Sequence, residues 1–445
     1  MLARRDLLHC FTLGAAAGTA GFLGGMPPAA AQDYARATNG LAPLKITNVK
    51  AILTAPASAR LIVVKVETSE PGLYGLGCAT FTQRAQAVVT AVDEFLRPFA
   101  IDRDPDNIED MWQTAYTSSY WRNGPVLNNA LSGLDMALWD IKGKRAGMPV
   151  YQLLGGKCRF AVDTYTHCSG DDFEEVEDQV RQRMAEGFRH CRIQLGGYGA
   201  LNLSGKPDFK EAGFGLPSDQ HMQSWPYLKA IPGLFEHIRT TCGEDIELLH
   251  DIHERVNPID AIHLIKQLEQ YRPFFIEDPF SPEQIGYFRM LREQCAVPLS
   301  MGELFNSPHE WVGLISERLI DFIRVHVSQT GGLSVARKIA TLAEWFGVRT
   351  AWHGPGDVSP VGHAANAHLD LAVHNFGIQE AVSFNEATQE VFPGCPWVEN
   401  GYLHVNGAPG FGVDVNEALA AKYPAPDSPG NWLPIRRSDG TAVRP

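Results

Sequence analysis

Apolar residues along the chain fall into two patterns, short runs of strand character and longer stretches with helical spacing. Between 45 and 155 the runs 46–49 and 61–66 read as strands, Gly-rich turns follow at 72–77, and helical periodicity covers 85–96 and 128–144. That mixture predicts an α+β domain. From 161 onward the rhythm is strand then helix, repeated. The strand-like runs are 161–166, 190–194, 246–250, 274–276, 299–301, 322–325, 349–352 and 377–380, with helix-like stretches between them. Eight such strands indicate a closed parallel barrel more than an open sheet. The expected class is α/β: an N-terminal α+β capping domain at 45–155, a modified TIM barrel of (β/α)7β type at 156–385, and a C-terminal extension, 386–445, packing on both.

In such barrels the chemistry lies at the carboxyl ends of the strands. Three of those ends carry acids: Asp251 in Leu-Leu-His-Asp-Ile-His, Glu277 in Phe-Phe-Ile-Glu-Asp-Pro and Glu303 in Leu-Ser-Met-Gly-Glu-Leu. They are 26 residues apart, 251 to 277 to 303, the size of one βα unit. One acid at a strand end is ordinarily a plain polar residue. Three in register converge on one point, and hard oxygen ligands so placed suit Mg²⁺, which keeps positions for water and substrate. Other strand ends carry His167, Arg192 with Gln194, His253, His353 and Glu380. His253, two residues past Asp251 on an extended segment, points into the same cavity. His167 and Glu380 could instead cap a strand end. His363, His368 and His374 lie in an Ala-rich helical stretch and read as packing residues.

The stretch 196–226 breaks the rhythm. It is rich in Gly, Pro, Ser and Asn, carries Tyr198 and Trp225, and is long enough to serve as a lid. In the small domain, loop 78–83 with Thr82 and loop 120–125 with Arg122 could cover the neighbouring site, although Arg122 could simply pin the small domain.

Composition narrows the partners. A chain of 445 residues, 44% of them hydrophobic, can bury a large core in two domains. Its formal charge of −13 argues against nucleic acid and anionic membrane surfaces. Nothing after the first 31 residues is long and apolar enough to span a bilayer. Residues 1–31 run from Arg4-Arg5 through a Gly/Ala/Leu-rich middle to Ala29-Ala30-Ala31, the order of a twin-arginine-type signal and hence of a periplasmic protein. Residues 32–44 read as a linker. The eight cysteines form no Cys-x-x-Cys pair, and removing the leader leaves an odd number, so neither a disulfide framework nor a zinc site is expected.

The three acids, the preceding α+β domain and Asp-Met-Ala-Leu-Trp-Asp-Ile-Lys-Gly-Lys (135–144) resemble the enolase superfamily, and within it the mannonate dehydratase group. Tyr-Trp-Arg-x-Gly-Pro (120–125), Tyr-Gln-Leu-Leu-Gly-Gly-Lys (151–157) and Asp-Ile-His (251–253) carry the resemblance. So do His-Gly-Pro-Gly-Asp-Val-Ser-Pro (353–360), Asn-Phe-Gly-Ile-Gln-Glu (375–380) and Gly-Val-Asp-Val-Asn-Glu (412–417). It spans about 45–425. The resemblance implies an enolase-like fold with Mg²⁺ on Asp251, Glu277 and Glu303, and His253 as general acid. It also implies substrate contacts from His167, Gln194, His353, Asp357 and Glu380, a base formed by Arg192 with a tyrosine, and a symmetric homo-oligomer.

Three features depart from the family pattern. Tyr198, the nearest candidate for the tyrosine, follows Arg192 by six residues where the family has a longer loop. Thr82 stands nearest the family's loop asparagine. The family's tryptophan-bearing carboxyl end is absent, since Asp439-Gly440-Thr441 leads to Ala-Val-Arg-Pro. These departures lie where substrate is chosen. The implied reaction removes water from a hexonic acid of the D-mannonate or D-gluconate class. It proceeds by carbon-2 proton abstraction, a metal-stabilised enediolate and loss of the carbon-3 hydroxyl. A racemase or epimerase of the same superfamily would pair a strand-seven His with a strand-six Asp, and 323–329 offers no Asp. A non-catalytic homologue would bind the sugar acid without turnover.

Overall fold

The computed structural model describes residues 40–204, 221–426, 435–437 and 439–444. The leader, residues 32–39 of the linker and residues 205–220 of the long insertion lie outside the described residues. Residues Lys45–Pro445 cluster as one compact unit.

The chain begins with an antiparallel meander of β1 (Ile46–Thr54), β2 (Leu61–Thr68) and β3 (Tyr74–Cys78). It packs on the 22-residue helix Pro125–Ala146. Contact is backbone to backbone. A Cβ on Gly75 or Gly77 would sit 2.0 Å from a carbonyl oxygen of that helix, so only glycine lets β3 come this close.

Eight parallel strands follow: β4 (Val162–Gly170), β5 (His190–Leu195), β6 (Glu247–Asp251), β7 (Phe275–Glu277), β8 (Leu299–Met301), β9 (Phe322–Ile323), β10 (Arg349–Thr350) and β11 (Gln379–Glu380). Each pairs with the next from β4 to β10, β11 pairs with β4, and a bridge between Thr350 and Phe376 closes the ring. The architecture is the enolase-like barrel with an N-terminal cap. Past the barrel, β12 (Trp397–Glu399) and β13 (Tyr402–His404) form a hairpin that adds antiparallel to the start of β4. The extension then reaches the cap, where Glu417 pairs with Lys50 at 2.6 Å and Lys65 at 2.8 Å.

The long cap helix explains much of the 135–144 motif. Asp135, fully buried, accepts the Ser334 backbone N–H at 3.0 Å and its hydroxyl, at the N-terminus of the barrel helix Leu333–Trp345. One domain thus supplies the N-terminal cap for a helix of the other, satisfying donors that an isolated helix leaves orphaned. Asp140 accepts from Leu76 N at 3.0 Å and Phe411 N at 2.8 Å, and pairs with Lys144 at 2.7 Å. The motif is a joint between cap, barrel and extension.

Among the described residues, all seven cysteines are free thiols, and no helix is long and apolar enough to cross a membrane.

Candidate active site

The barrel interior has an apolar floor. Tyr165, Leu249, Phe275, Phe322, Ala351 and Ile378, one from each of six strands or strand ends, form a single fully buried cluster. Side chains alternate along a strand, so the residue two further on faces the same interior, one layer nearer the carboxyl ends. Those residues are His167, Asp251, Glu277, Arg324, His353 and Glu380. Alternation alone therefore gathers five residues the sequence singled out. The sixth, Arg324, is not singled out by spacing, since a strand-six cation gains meaning only beside the acids it meets.

β8 slips out of phase. Gly302, with φ +139°, turns the chain after Met301 and carries Glu303 to one side. Asp278 adopts φ +38° and swings in, its Oδ1 accepting the Gly302 N–H at 3.1 Å. Among the described residues, the three carboxylates whose oxygens lie within 4.8 Å of one another are Asp251, Glu277 and Asp278. Glu303 stands beside them, its Oε2 2.7 Å from Arg324 Nη1 and 3.3 Å from His353 Nδ1. Asp278 thus joins Asp251 and Glu277 in the tight group, with Glu303 next to it.

Five acids, Asp251, Glu277, Asp278, Glu303 and Glu380, surround two buried guanidinia. Arg192 Nη1 lies 2.7 Å from Glu277, 3.4 Å from Asp251 and 3.5 Å from Glu380. Arg324 Nη2 lies 3.1 Å from Glu277 and also pairs with Glu380, while its Nε donates to Tyr165 Oη at 3.0 Å. Burial pushes the Asp251 carboxyl up to about 6 and Glu277 up to about 7, although the arginines pull the other way. Burial likewise lifts Asp278 well above its usual range. For Glu303 burial is outweighed by His353 and Arg324, which hold it well below. Proximity therefore favours Asp278, and ionisation favours Glu303. With every acid ionised, five carboxylates against Arg192, Arg324 and a protonated His353 leave a formal excess of two negative charges. Asp251 Oδ2 is buried and accepts no hydrogen bond. An oxygen-seeking divalent cation answers both.

Tyr198 reaches this cluster despite its short loop. Gly196, Gly197, Gly199 and Ala200 all adopt positive φ, at 54°, 70°, 81° and 49°, so the chain doubles back on itself. Arg192 Nη2 donates to Tyr198 Oη at 2.6 Å. Burial raises the phenol's pKa, with Arg192 opposing. His253 stacks on the same ring at 4.4 Å, and its backbone N–H donates to Asp251 Oδ1 at 2.7 Å.

His167 Nε2 lies 2.6 Å from Glu380 Oε1, and burial depresses its pKa, so the ring is neutral and donates. His353 is the opposite case. Burial would lower its pKa, yet Glu303 and Asp357 carry it up to about 10. Asp357 Oδ1 stands 3.4 Å from His353 Nε2. Gln194 Nε2 donates to the Asp251 carbonyl at 3.0 Å, and among the described residues its buried Oε1 has no hydrogen-bond partner. The small domain carries the two other candidates, Thr82 and Arg122. Thr82 opens a short 3₁₀ turn and donates to Gln83, and Arg122 lies 5.9 Å over the Tyr116 ring beside an apolar pocket with Phe95 and Leu127. Neither hydrogen-bonds or ion-pairs with the cluster. His363 and His368 are buried in helix Pro360–Ala372, whereas His374 is exposed.

Comparison with known proteins agrees with this arrangement. The family model described as enolase C-terminal domain-like matches residues 175–419, and that of the mandelate racemase / muconate lactonizing enzyme N-terminal domain matches 38–155. A D-galactonate dehydratase family member from Musicola paradisiaca is 55% identical over 417 residues, covering 90% of this chain and 99% of that protein. One from Enterocloster bolteae is 50% identical over 402 residues, with the same coverage. The crystal structure of an enolase from Pantoea ananatis with bound D-gluconate and Mg superposes with a TM-score of 0.87 at 54% identity, covering 90% of this chain and all of that one. A putative mandelate racemase/muconate lactonizing enzyme from Labrenzia alexandrii, 24% identical with a TM-score of 0.76, covers 86% of this chain and 96% of its own and shares the fold. Both halves of the chain match the enolase type, and relatives of half its identity run along nine-tenths of it: this protein is an enzyme of the enolase superfamily and belongs to the D-galactonate dehydratase family.

Proposed function

We propose that the protein is a Mg²⁺-dependent hydro-lyase that dehydrates a hexonic acid of the D-gluconate or D-mannonate class to a 2-keto-3-deoxy acid. The observation that carries this reading is one buried cluster of side chains holding three functions. Tyr198 is hydrogen-bonded to Arg192 at 2.6 Å, His253 is stacked on it at 4.4 Å, and the carboxylate cluster lies beside both. The Pantoea ananatis relative, described with D-gluconate and Mg, supports the substrate class.

Asp251 and Glu277 would hold the metal, with Glu303 or Asp278 as third ligand. When bound, Mg²⁺ supplies a Lewis acid for the substrate carboxylate. The chain's own residues move the protons. Arg192 favours the ionised phenol of Tyr198, which accepts the carbon-2 proton and leaves an enediolate. His253 gives a proton to the carbon-3 hydroxyl, which departs as water while the carbon 2–carbon 3 double bond forms. The resulting enol tautomerises to the 2-keto-3-deoxy product. His353, cationic, and Arg324 stand where they balance the substrate's negative charge, and neutral His167 orients on Glu380.

The test is a screen of the mature protein with Mg²⁺ against hexonic and pentonic acids, reading 2-keto-3-deoxy acid, with Glu277→Gln as control. Product from one or a few acids, absent in the control, supports the reading. A sugar acid that raises the melting temperature without any product would indicate a binding homologue instead. We also propose that residues 1–31 direct export to the periplasm and that the mature chain forms a symmetric homo-oligomer. N-terminal sequencing of the periplasmic protein and light scattering test these two points.

A further inference from the structure

Arg255 is a buried cation that Asp251 and Glu254 attract only from beyond ion-pair distance. It is 4% exposed, and among the described residues it forms no ion pair, while its Nε finds no hydrogen-bond partner. Burial lowers its pKa to about 10, which leaves it charged at neutral pH. Burying a charge without a carboxylate is unfavourable unless other contacts compensate. Here the contacts go to one short stretch. Nη1 donates to the Tyr198 carbonyl. The guanidinium stands 5.6 Å from the Tyr198 ring centroid, against 5.4 Å for Arg192 on the same ring. A Cβ on Gly199 would come within 3.1 Å of Arg255 Cδ.

The tyrosine loop needs such a hold. Four of its residues take positive φ and three of those are glycines, which lose the most backbone freedom on ordering. Arg192 binds the hydroxyl end of Tyr198, and His253 stacks on its ring. Arg255 fixes the backbone end. It also lies in the turn that carries His253, its N–H bonded to the Ile252 carbonyl at 3.3 Å, so the same side chain ties the tyrosine loop to the segment of the acid.

We infer that Arg255 is a positioning residue: it holds the shortened glycine-rich loop so that Tyr198 meets the substrate at the distance and angle proton transfer requires. The inference rests on Tyr198 being the base.

The test compares Arg255→Met, Arg255→Lys, Tyr198→Phe and the Arg255→Met/Tyr198→Phe pair in full-length mature protein with Mg²⁺. The assay uses D-gluconate, or the acid found in the screen if D-gluconate is not turned over. A misplacement of about 1 Å can lower turnover on the order of 10²-fold, so Arg255→Met is expected to lose kcat on that scale with KM within about threefold. Lysine, which can still donate to the carbonyl, should recover about tenfold of the loss. In the Tyr198→Phe background the Met substitution should cost nothing further, the mark of two residues acting as one unit. Amide exchange over 196–200 should quicken in Arg255→Met whether or not substrate is present. Should the Met variant fail to fold, the Lys variant carries the same comparisons.

Turnover of Arg255→Met within threefold of wild type, or a loss that adds in full to that of Tyr198→Phe, overturns the inference. So does a loss confined to KM. An inactive Tyr198→Phe beside an indifferent Arg255→Met sinks the inference alone. A fully active Tyr198→Phe sinks the base assignment instead, and unchanged exchange at 196–200 then removes the positioning role as well.

Discussion

Arg192 donates to Tyr198 across 2.6 Å although six residues separate them, because four positive-φ residues fold the loop back over the strand that carries the arginine. A short glycine-rich loop thus brings the phenol to the guanidinium. Removing the phenol should remove the proton acceptor. Tyr198→Phe is expected to lower kcat by roughly 10²- to 10⁴-fold without moving the melting temperature, the range for loss of one positioned acid or base. Arg192→Lys should fall as far, since a point charge cannot meet Glu277 and Tyr198 at once. Steady-state formation of the 2-keto-3-deoxy acid measures both, and wild-type turnover in Tyr198→Phe would move the base elsewhere.

Metal binding should release protons. Asp251 at about 6 and Glu277 at about 7 hold protons in the metal-free protein near neutrality, and Mg²⁺ needs both ionised. Their raised values mean that the metal-free fold loses stability as pH rises through 6 to 7, and Mg²⁺ should restore it there. Apparent Mg²⁺ affinity should weaken as pH drops below 7. Calorimetry in two buffers of different ionisation heat reads the proton count. A count near zero at pH 6 would contradict the burial argument.

The third ligand can be assigned by charge. Asp278 is nearer the other two acids, but burial raises its pKa well above the usual range, whereas His353 and Arg324 hold that of Glu303 well below. Glu303→Gln is therefore expected to weaken Mg²⁺ binding more than Asp278→Asn does. The reverse order would mean that proximity decides, and that Asp278 ionises once the metal arrives.

Acid should unfold the protein through its buried histidines. His250 and His363 sit at about 4 and His368 at about 3, all depressed by burial. His368 Nδ1 accepts the Tyr151 N–H at 3.1 Å and must stay neutral to do so. The unfolded chain takes up these protons below about 6.5 while the native state refuses them, so stability is intact above that pH and falls as pH drops toward 4. Each contributes up to about 1.4 kcal/mol per pH unit over that window. Denaturant titrations from pH 7 to 4.5 should show the fall, and His368→Gln should flatten it.

The barrel was legible because each strand is a short apolar run closed by a polar residue, and alternation then fixes which side chains meet. Where alternation fails, so did the reading. Asp278 sits next to Glu277 and by parity should point away, and only its φ of +38° turns it inward. Arg324 follows the parity rule, yet it went unread because a strand-six cation is unremarkable until the surrounding acids are placed. Thr82 and Arg122 are candidates on loops, and a loop's direction depends on the packing beneath it, which spacing does not encode.

The cap helix has a consequence for the order in which the molecule is made. Asp135 leaves the ribosome 199 residues before Ser334, and Asp140 leaves 271 before Phe411. At about 5–20 residues per second, the first wait lasts on the order of 10–40 s. Through that interval the nascent cap helix carries Asp135 with Ser334 not yet synthesised, and Asp140 with only Leu76 and Lys144 of its partners in place. The cap is thus the first domain translated and cannot be the first to finish. Its completion is timed by the far end of the chain.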